Sequence, residues 1–126
     1  MHRSQLAGFI IDCNTDDIEA AARFWGAALG LRPRTSGDPD DSNYIPFERE
    51  PNGLAIEVQK VDHPSRVHID IESDDVEAEA ARLEKLGAKR IRKIRTWWVM
   101  EAPTGQRFCV IRAKRANFEL EANVWP

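Results

Sequence analysis

Two stretches of this chain align with one another without gaps. Residues 9–20 (FIIDCNTDDIEA) lie over residues 67–78 (VHIDIESDDVEA) at an offset of 58, sharing Ile-Asp and then Asp-Asp-(Ile/Val)-Glu-Ala. Each copy then runs to Leu-Gly, at Leu29-Gly30 and Leu86-Gly87. Further on, residues 51–58 (PNGLAIEV) lie over residues 103–110 (PTGQRFCV) at an offset of 52. Two matches in the same order point to a duplicated half-domain, and such self-similarity restricts the architecture more than a single motif does. The drop in offset assigns a longer loop to the first copy. The turn-forming run from Ser36 to Ser42 (SGDPDDS) is the place for it.

Each copy reads as strand, helix and three further strands. Phe9–Cys13 and Val67–Ile71 are short runs rich in β-branched residues. Asp16 with Glu19, and Asp74 with Glu77, look like capping boxes, and acids there suit the positive end of a helix dipole. Ile18, Ala22, Trp25 and Leu29 follow at helical spacing, as do Val76, Ala80, Leu83 and Leu86. Gly30 and Gly87 then suit a left-handed cap. Strands are expected over about 31–35, 43–49 and 54–61, then 88–95, 97–102 and 106–112, with hairpin turns at Pro51-Asn52-Gly53 and Pro103-Thr104-Gly105. The reading is one α+β domain over 1–126, built from two fused βαβββ modules at about 6–61 and 65–113. The tail, 114–126, carries Phe118, Leu120, Val124 and Trp125, which are apolar enough to dock on the domain or on a second subunit.

A hydrophobic fraction of 42% and a charged fraction of 31% argue against a disordered chain. Eighteen Lys/Arg against twenty-one Asp/Glu give a net charge of −3, which argues against a nucleic-acid partner. The run Lys89-Arg90-Ile91-Arg92-Lys93-Ile94-Arg95, followed by Trp97 and Trp98, has the make-up of a single-strand nucleic-acid platform. With an acidic total it reads instead as a solvated edge strand. No apolar run approaches the roughly 18 residues of a membrane span. The patch from Leu6 to Ile11 ends at Asp12 without a cleavage pattern, so no signal peptide is expected. Two cysteines are too few for a disulfide framework, which fits a reduced, cytoplasmic domain.

Neighbouring residues on a strand point to opposite sides. Phe9, Ile11 and Cys13 are expected to pack on the first helix, and Val67, Ile69 and Ile71 on the second. Leu54, Ile56, Val58, Phe108 and Val110 join these cores. The opposite side then collects Asp12, Glu57, Gln59, His68, Asp70, Glu72, Arg107 and Cys109. A sheet of about eight strands with helices on one side curls, and polar residues on its concave side line a cleft where a small molecule binds. Trp97 and Trp98 face opposite ways on a strand, one toward the core and one toward the cleft, where it can stack on a flat ligand.

Several of these features together resemble the vicinal oxygen chelate superfamily, which contains glyoxalase I, bleomycin-resistance proteins and extradiol dioxygenases. They are the double βαβββ pattern, Phe24-Trp25 before Leu29-Gly30, His68-Ile69-Asp70 before a capped helix, and Pro103-Thr104-Gly105 before Phe108-Cys109-Val110. Trp97-Trp98-Val99-Met100 and Phe108-Cys109 are similar to the glyoxalase-like branch. The resemblance spans about residues 6–113 and implies a curled mixed sheet with a concave cleft. It also implies homodimers, and in metal-dependent members a divalent ion held from the first, fourth, fifth and eighth strands. Those positions fall here on Ile10, Glu57, His68 and Cys109. Ile10 has no donor atom, and a cysteine thiolate suits zinc rather than the oxygen-preferring ions.

The expectation is therefore a glyoxalase-like small-molecule-binding protein without the full family metal set and with no cofactor. Either it only binds its ligand, or it runs metal-free chemistry on His68 and Glu57. Two alternatives stay open. One is a lyase or dioxygenase with a divalent metal on Glu57, His68 and Cys109, and the other is a non-catalytic interaction module. His68 also reads as a hydrogen-bonded cleft histidine, and Cys109 as a small buried apolar residue.

Overall fold

The computed structural model describes residues 1–34 and 42–126. In chain order the elements are β1 (His2–Asn14), α1 (Ile18–Leu29), β2 (Tyr44–Pro46), β3 (Ala55–Val61), β4 (Arg66–Ser73), α2 (Val76–Lys85), β5 (Lys89–Ile94), β6 (Trp97–Glu101), β7 (Arg107–Arg112), α3 (Phe118–Glu121) and β8 (Asn123–Trp125). The fold is α+β, as the repeat implied. The longer loop expected at 36–42 lies, but for Ser42, outside the described residues. No helix among the described residues is long and apolar enough to cross a membrane.

The chain forms two compact units. The smaller is Phe9–Val67, and the larger joins Met1–Gly8 to His68–Pro126. Strand β1 contributes to both.

In the smaller unit the strand order is β2-β3-β1, with Tyr44 opposite Gln59 and Pro46 opposite Glu57. Helix α1 starts where Asp17 accepts a hydrogen bond from the Ala20 amide at 3.1 Å, and stops at Gly30 with φ 70°. It packs Ala22 against Ile11, Cys13, Phe47 and Val58, with Ile18, Trp25 and Ile56 at the margin. Burying a side chain such as Val58 completely stabilises by about 1.5–3 kcal/mol. Residues 31–34 form no strand, contrary to expectation. Pro33, which lacks an N–H, makes only an isolated bridge to Phe47. Leu54 also misses the core and is 39% exposed, because it precedes the first residue of β3.

In the larger unit the order is β1-β4-β7-β6-β5, and β8 pairs with β1. β4 and β7 are parallel, with Ile69 opposite Phe108, Asp70 opposite Cys109 and Glu72 opposite Ile111. β1 with β8, β5 with β6 and β6 with β7 are antiparallel, so the sheet is mixed. Helix α2 begins where Asp75 accepts from the Ala78 amide at 3.0 Å. It ends in paired bonds, Gly87 N–H to Glu84 and Ala88 N–H to Leu83, with Gly87 at φ 104°. Ala80 and Leu83 pack on Met100 and Val110, with Ile71, Trp98 and Phe108 alongside. Ile69 is 44% exposed, so of the β4 residues assigned to this core only Ile71 reaches it; Val67, on the smaller unit, is 59% exposed.

Both caps stand one residue later than expected. An N-cap side chain reaches the amide three residues on, and Asp17 and Asp75 find those of Ala20 and Ala78. The glutamates at 19 and 77 are one position too early to close a box on them. Asp74 instead accepts from the Arg3 amide of β1 at 2.8 Å.

The tail closes on its own unit. His2 pairs with Trp125 and Ser4 with Asn123, while Phe118 and Ala122 are buried. Beneath this pairing lies Glu79, fully buried on α2. Its carboxylate takes two bonds from Arg82, at 2.7 and 2.9 Å, and one from His2 at 2.9 Å. Arg82 lies 3.8 Å under the Trp125 ring, whose N–H donates to Ser4 at 2.8 Å. Burial pushes the Glu79 carboxyl up, but hydrogen bonds from Arg82, Ser4 and His2 outweigh it and leave it below the usual carboxylate range.

Glu79→Ala strands Arg82, and its expected cost is about 3–5 kcal/mol, checked by urea unfolding. Amide exchange across residues 118–125 should rise with it. A second acid reads out in pH. Hydrogen bonds from Arg90, Trp98 and Lys93 lower the exposed Glu77 carboxyl to about 2. Its contribution is fully present above the ordinary value of 4.5. It is lost as pH falls toward 2, because the unfolded chain takes up the proton first. Carboxyl NMR should show that low midpoint, and Glu77→Gln should flatten the acid limb of stability.

Candidate functional site

The parallel register of β4 and β7 sorts the larger unit's side chains. Ile71, Phe108 and Val110 turn to α2. By alternation His68, Asp70 and Glu72 of β4, and Arg107, Cys109 and Ile111 of β7, share the opposite face. On β6, Val99 lies opposite Cys109 and Glu101 opposite Arg107, so Trp97 belongs to this face as well. Trp98 faces α2, where its N–H donates to Glu77 at 2.8 Å and the Arg90 guanidinium lies 4.8 Å from its ring.

Three side chains converge on this face. The His68 Nε2 is 3.3 Å from the Asp70 Oδ1, and both side chains are largely buried. One donor atom each from His68, Asp70 and Cys109 lies within 4.8 Å of the others. The Asp70 Oδ1 is buried without a hydrogen bond, so its distance to His68 is a close contact rather than an aligned bond. Arg107 donates to Glu101 at 3.1 Å.

Next along β4, the Glu72 carboxylate is almost wholly buried. It accepts from the Gln5 amide group at 3.1 Å and from the Arg115 backbone at 3.3 Å, with the Arg115 Nε 3.8 Å away. Gln5 and Arg115 were not among the residues the sequence pointed to. Arg115 follows Lys114 just past β7, with no local pattern to mark it. Only the path of the tail brings one of them inward.

The other expected site residues lie in the smaller unit. Asp12 is buried, with the Arg66 Nε 3.7 Å from its carboxylate. Burial, and then the charge of Asp12, push the neighbouring Cys13 thiol up. Gln59 donates to the Tyr44 hydroxyl at 2.9 Å, and Glu57 stands on β3 opposite Pro46. Ile10 is buried.

The fold type implies a divalent ion in metal-dependent relatives. Ile10 can give it nothing. His68, Asp70 and Cys109 present nitrogen, oxygen and sulfur, a donor set that fits a borderline-soft ion, and the orphaned Asp70 oxygen is the kind of atom such an ion would satisfy.

A family model described as "Glyoxalase-like domain" matches residues 8–111. No curated protein matches significantly. Solved structures share the fold at low identity. A hypothetical protein from Bacillus halodurans superposes at TM-score 0.62 with 15% identity, covering 90% of this chain and 97% of that one. Methylmalonyl-CoA epimerase from Mycobacterium tuberculosis gives 0.61 and 13%, covering 86% and 87%. The Mn(II)-bound glyoxalase from Novosphingobium aromaticivorans gives 0.61 and 21%, covering 91% of this chain but 42% of that one.

Arg115→Ala removes the guanidinium beside the buried Glu72 carboxylate. Urea unfolding should show a loss of about 1–3 kcal/mol, against less than about 0.5 kcal/mol for the exposed neighbour in Lys114→Ala.

Proposed function

The chain belongs to the glyoxalase-like domain family, and from that premise we propose that it binds a small molecule on the polar face of the larger unit, over His68, Asp70 and Cys109. The observation that carries this reading is the Asp70 Oδ1, buried without a hydrogen bond beside His68. A buried carboxylate oxygen without a donor costs free energy, and a ligand hydroxyl or amine placed there would recover it. Trp97 supplies a flat apolar wall on the same face, and Arg107 a cation two residues from Cys109. Together these suit a small, oxygen-rich compound with a donor group.

His68 is the residue on this face suited to moving a proton of such a compound, with the Asp70 carboxylate 3.3 Å from its ring nitrogen. Glu57 was expected to share that work. The reading needs only His68 and Asp70, and leaves Glu57 to be assigned by mutation. A homodimer, implied by the family resemblance, belongs to the same proposal and is measured by sedimentation. Low identity to the epimerases and the glyoxalase carries their architecture to this chain, while their ligands serve as starting points for a screen.

The test is thermal shift with hydroxy acids, carbonyl compounds and CoA esters. A ligand at a hundred times its Kd should add about 2.7 kcal/mol, and the shift should vanish in His68→Ala. If no compound raises the melting temperature, or all raise it equally in His68→Ala, the face is not a ligand site and the interaction-module reading stands.

A further inference from the structure

We propose that His68, Asp70 and Cys109 form a site for a thiophilic divalent ion of the zinc class. The proposal rests on the same face as the ligand reading but not on a ligand being bound there.

Three observations carry it. The first is distance. Zinc bonds to imidazole nitrogen and carboxylate oxygen run about 2.0 Å, so two such donors on a tetrahedron stand about 3.3 Å apart. The His68 Nε2 and Asp70 Oδ1 are 3.3 Å apart. A sulfur donor sits at about 2.3 Å from zinc, giving an edge of about 3.5 Å. One donor atom from each member of the trio already lies within 4.8 Å of the others. The second is support. Asp70 and Cys109 are directly opposite in the parallel register, and His68 is two residues back on the same strand. All three donors therefore stand on two paired strands of one unit rather than on loops. The third is the Asp70 Oδ1, which is buried with no hydrogen bond.

This set differs from the one implied by the family resemblance. Ile10 is apolar at a position where relatives place a donor, and Asp70 stands two residues from His68. A sulfur ligand favours zinc over manganese or magnesium, in contrast to the Mn(II)-bound glyoxalase of similar fold. His68, Asp70 and Cys109 would hold such an ion with three protein ligands, and it would supply Lewis-acid polarisation of a ligand oxygen.

The experiment is metal titration of chelator-stripped protein. Zn(II) should bind one equivalent, at least about a hundredfold more tightly than Mn(II). Co(II) should give a sulfur-to-cobalt charge-transfer absorption. Cys109→Ser should abolish that absorption, while Cys13→Ser should retain it. Asp70→Asn should weaken zinc by about tenfold or more, with circular dichroism checking that each variant is folded. The proposal is overturned if Co(II) binds without the sulfur absorption, or if Mn(II) competes equally. It is also overturned if Glu57→Gln removes zinc while Asp70→Asn does not, which would assign the ion to Glu57, His68 and Cys109. Repeating the ligand screen on metal-free protein separates the two proposals, since compounds that bind there without zinc uphold the ligand reading alone.

Discussion

The parallel pairing of β4 with β7 fixes which residues of the larger unit meet. Strand pleat has a period of two, so a one-residue slip of β4 against β7 would turn His68 and Asp70 toward α2, away from Cys109, and drive Ile71 to the other side. Both faces oppose that slip. On one, Val110 and Met100 are fully buried under α2. On the other, Glu72 is held by Gln5 and by the backbone of Arg115. The chemistry on the polar face is thus held in place by packing on the apolar one.

Much of this was legible in the sequence because repeats and alternation are local signals. The two alignable stretches suggested the strand–helix–strand order, and parity placed His68, Asp70 and Cys109 on one face. What the sequence left unread depended on contacts between distant residues. Asp16 and Asp74 looked like caps because each precedes a glutamate at the right interval, yet the caps are their neighbours, and Asp74 is drawn to Arg3 of β1. Trp97 and Trp98 could be split between faces but not assigned, because the assignment needs the register Trp98 to Val110. Arg115 carried no local signal at all. The ligand set implied by resemblance included Glu57, whereas the cluster within the larger unit holds Asp70, which the parity argument had placed on the same face as His68.

Charge in the larger unit is organised rather than scattered. Glu77 gathers Arg90, Lys93 and Trp98, and Glu84 takes a further bond from Arg90, so part of the basic run on β5 is spent holding α2 against its sheet. Composition had favoured a solvated edge over a surface for polyanions. On the far side of α2, Glu79 does similar work with Arg82 and His2, at full burial and with more at stake.

The division of the chain into units also has a consequence for the order of assembly. Met1–Gly8 belongs with His68–Pro126, and His2 pairs with Trp125. During synthesis His2–Ser4 must therefore wait for Asn123–Trp125 before their strand has both neighbours. Everything needed for the smaller unit has by then been synthesised. Closing so long a chain segment is entropically slow. The waiting segment carries His2, Arg3, Ser4 and Gln5, a polar stretch suited to standing in water until its partners arrive.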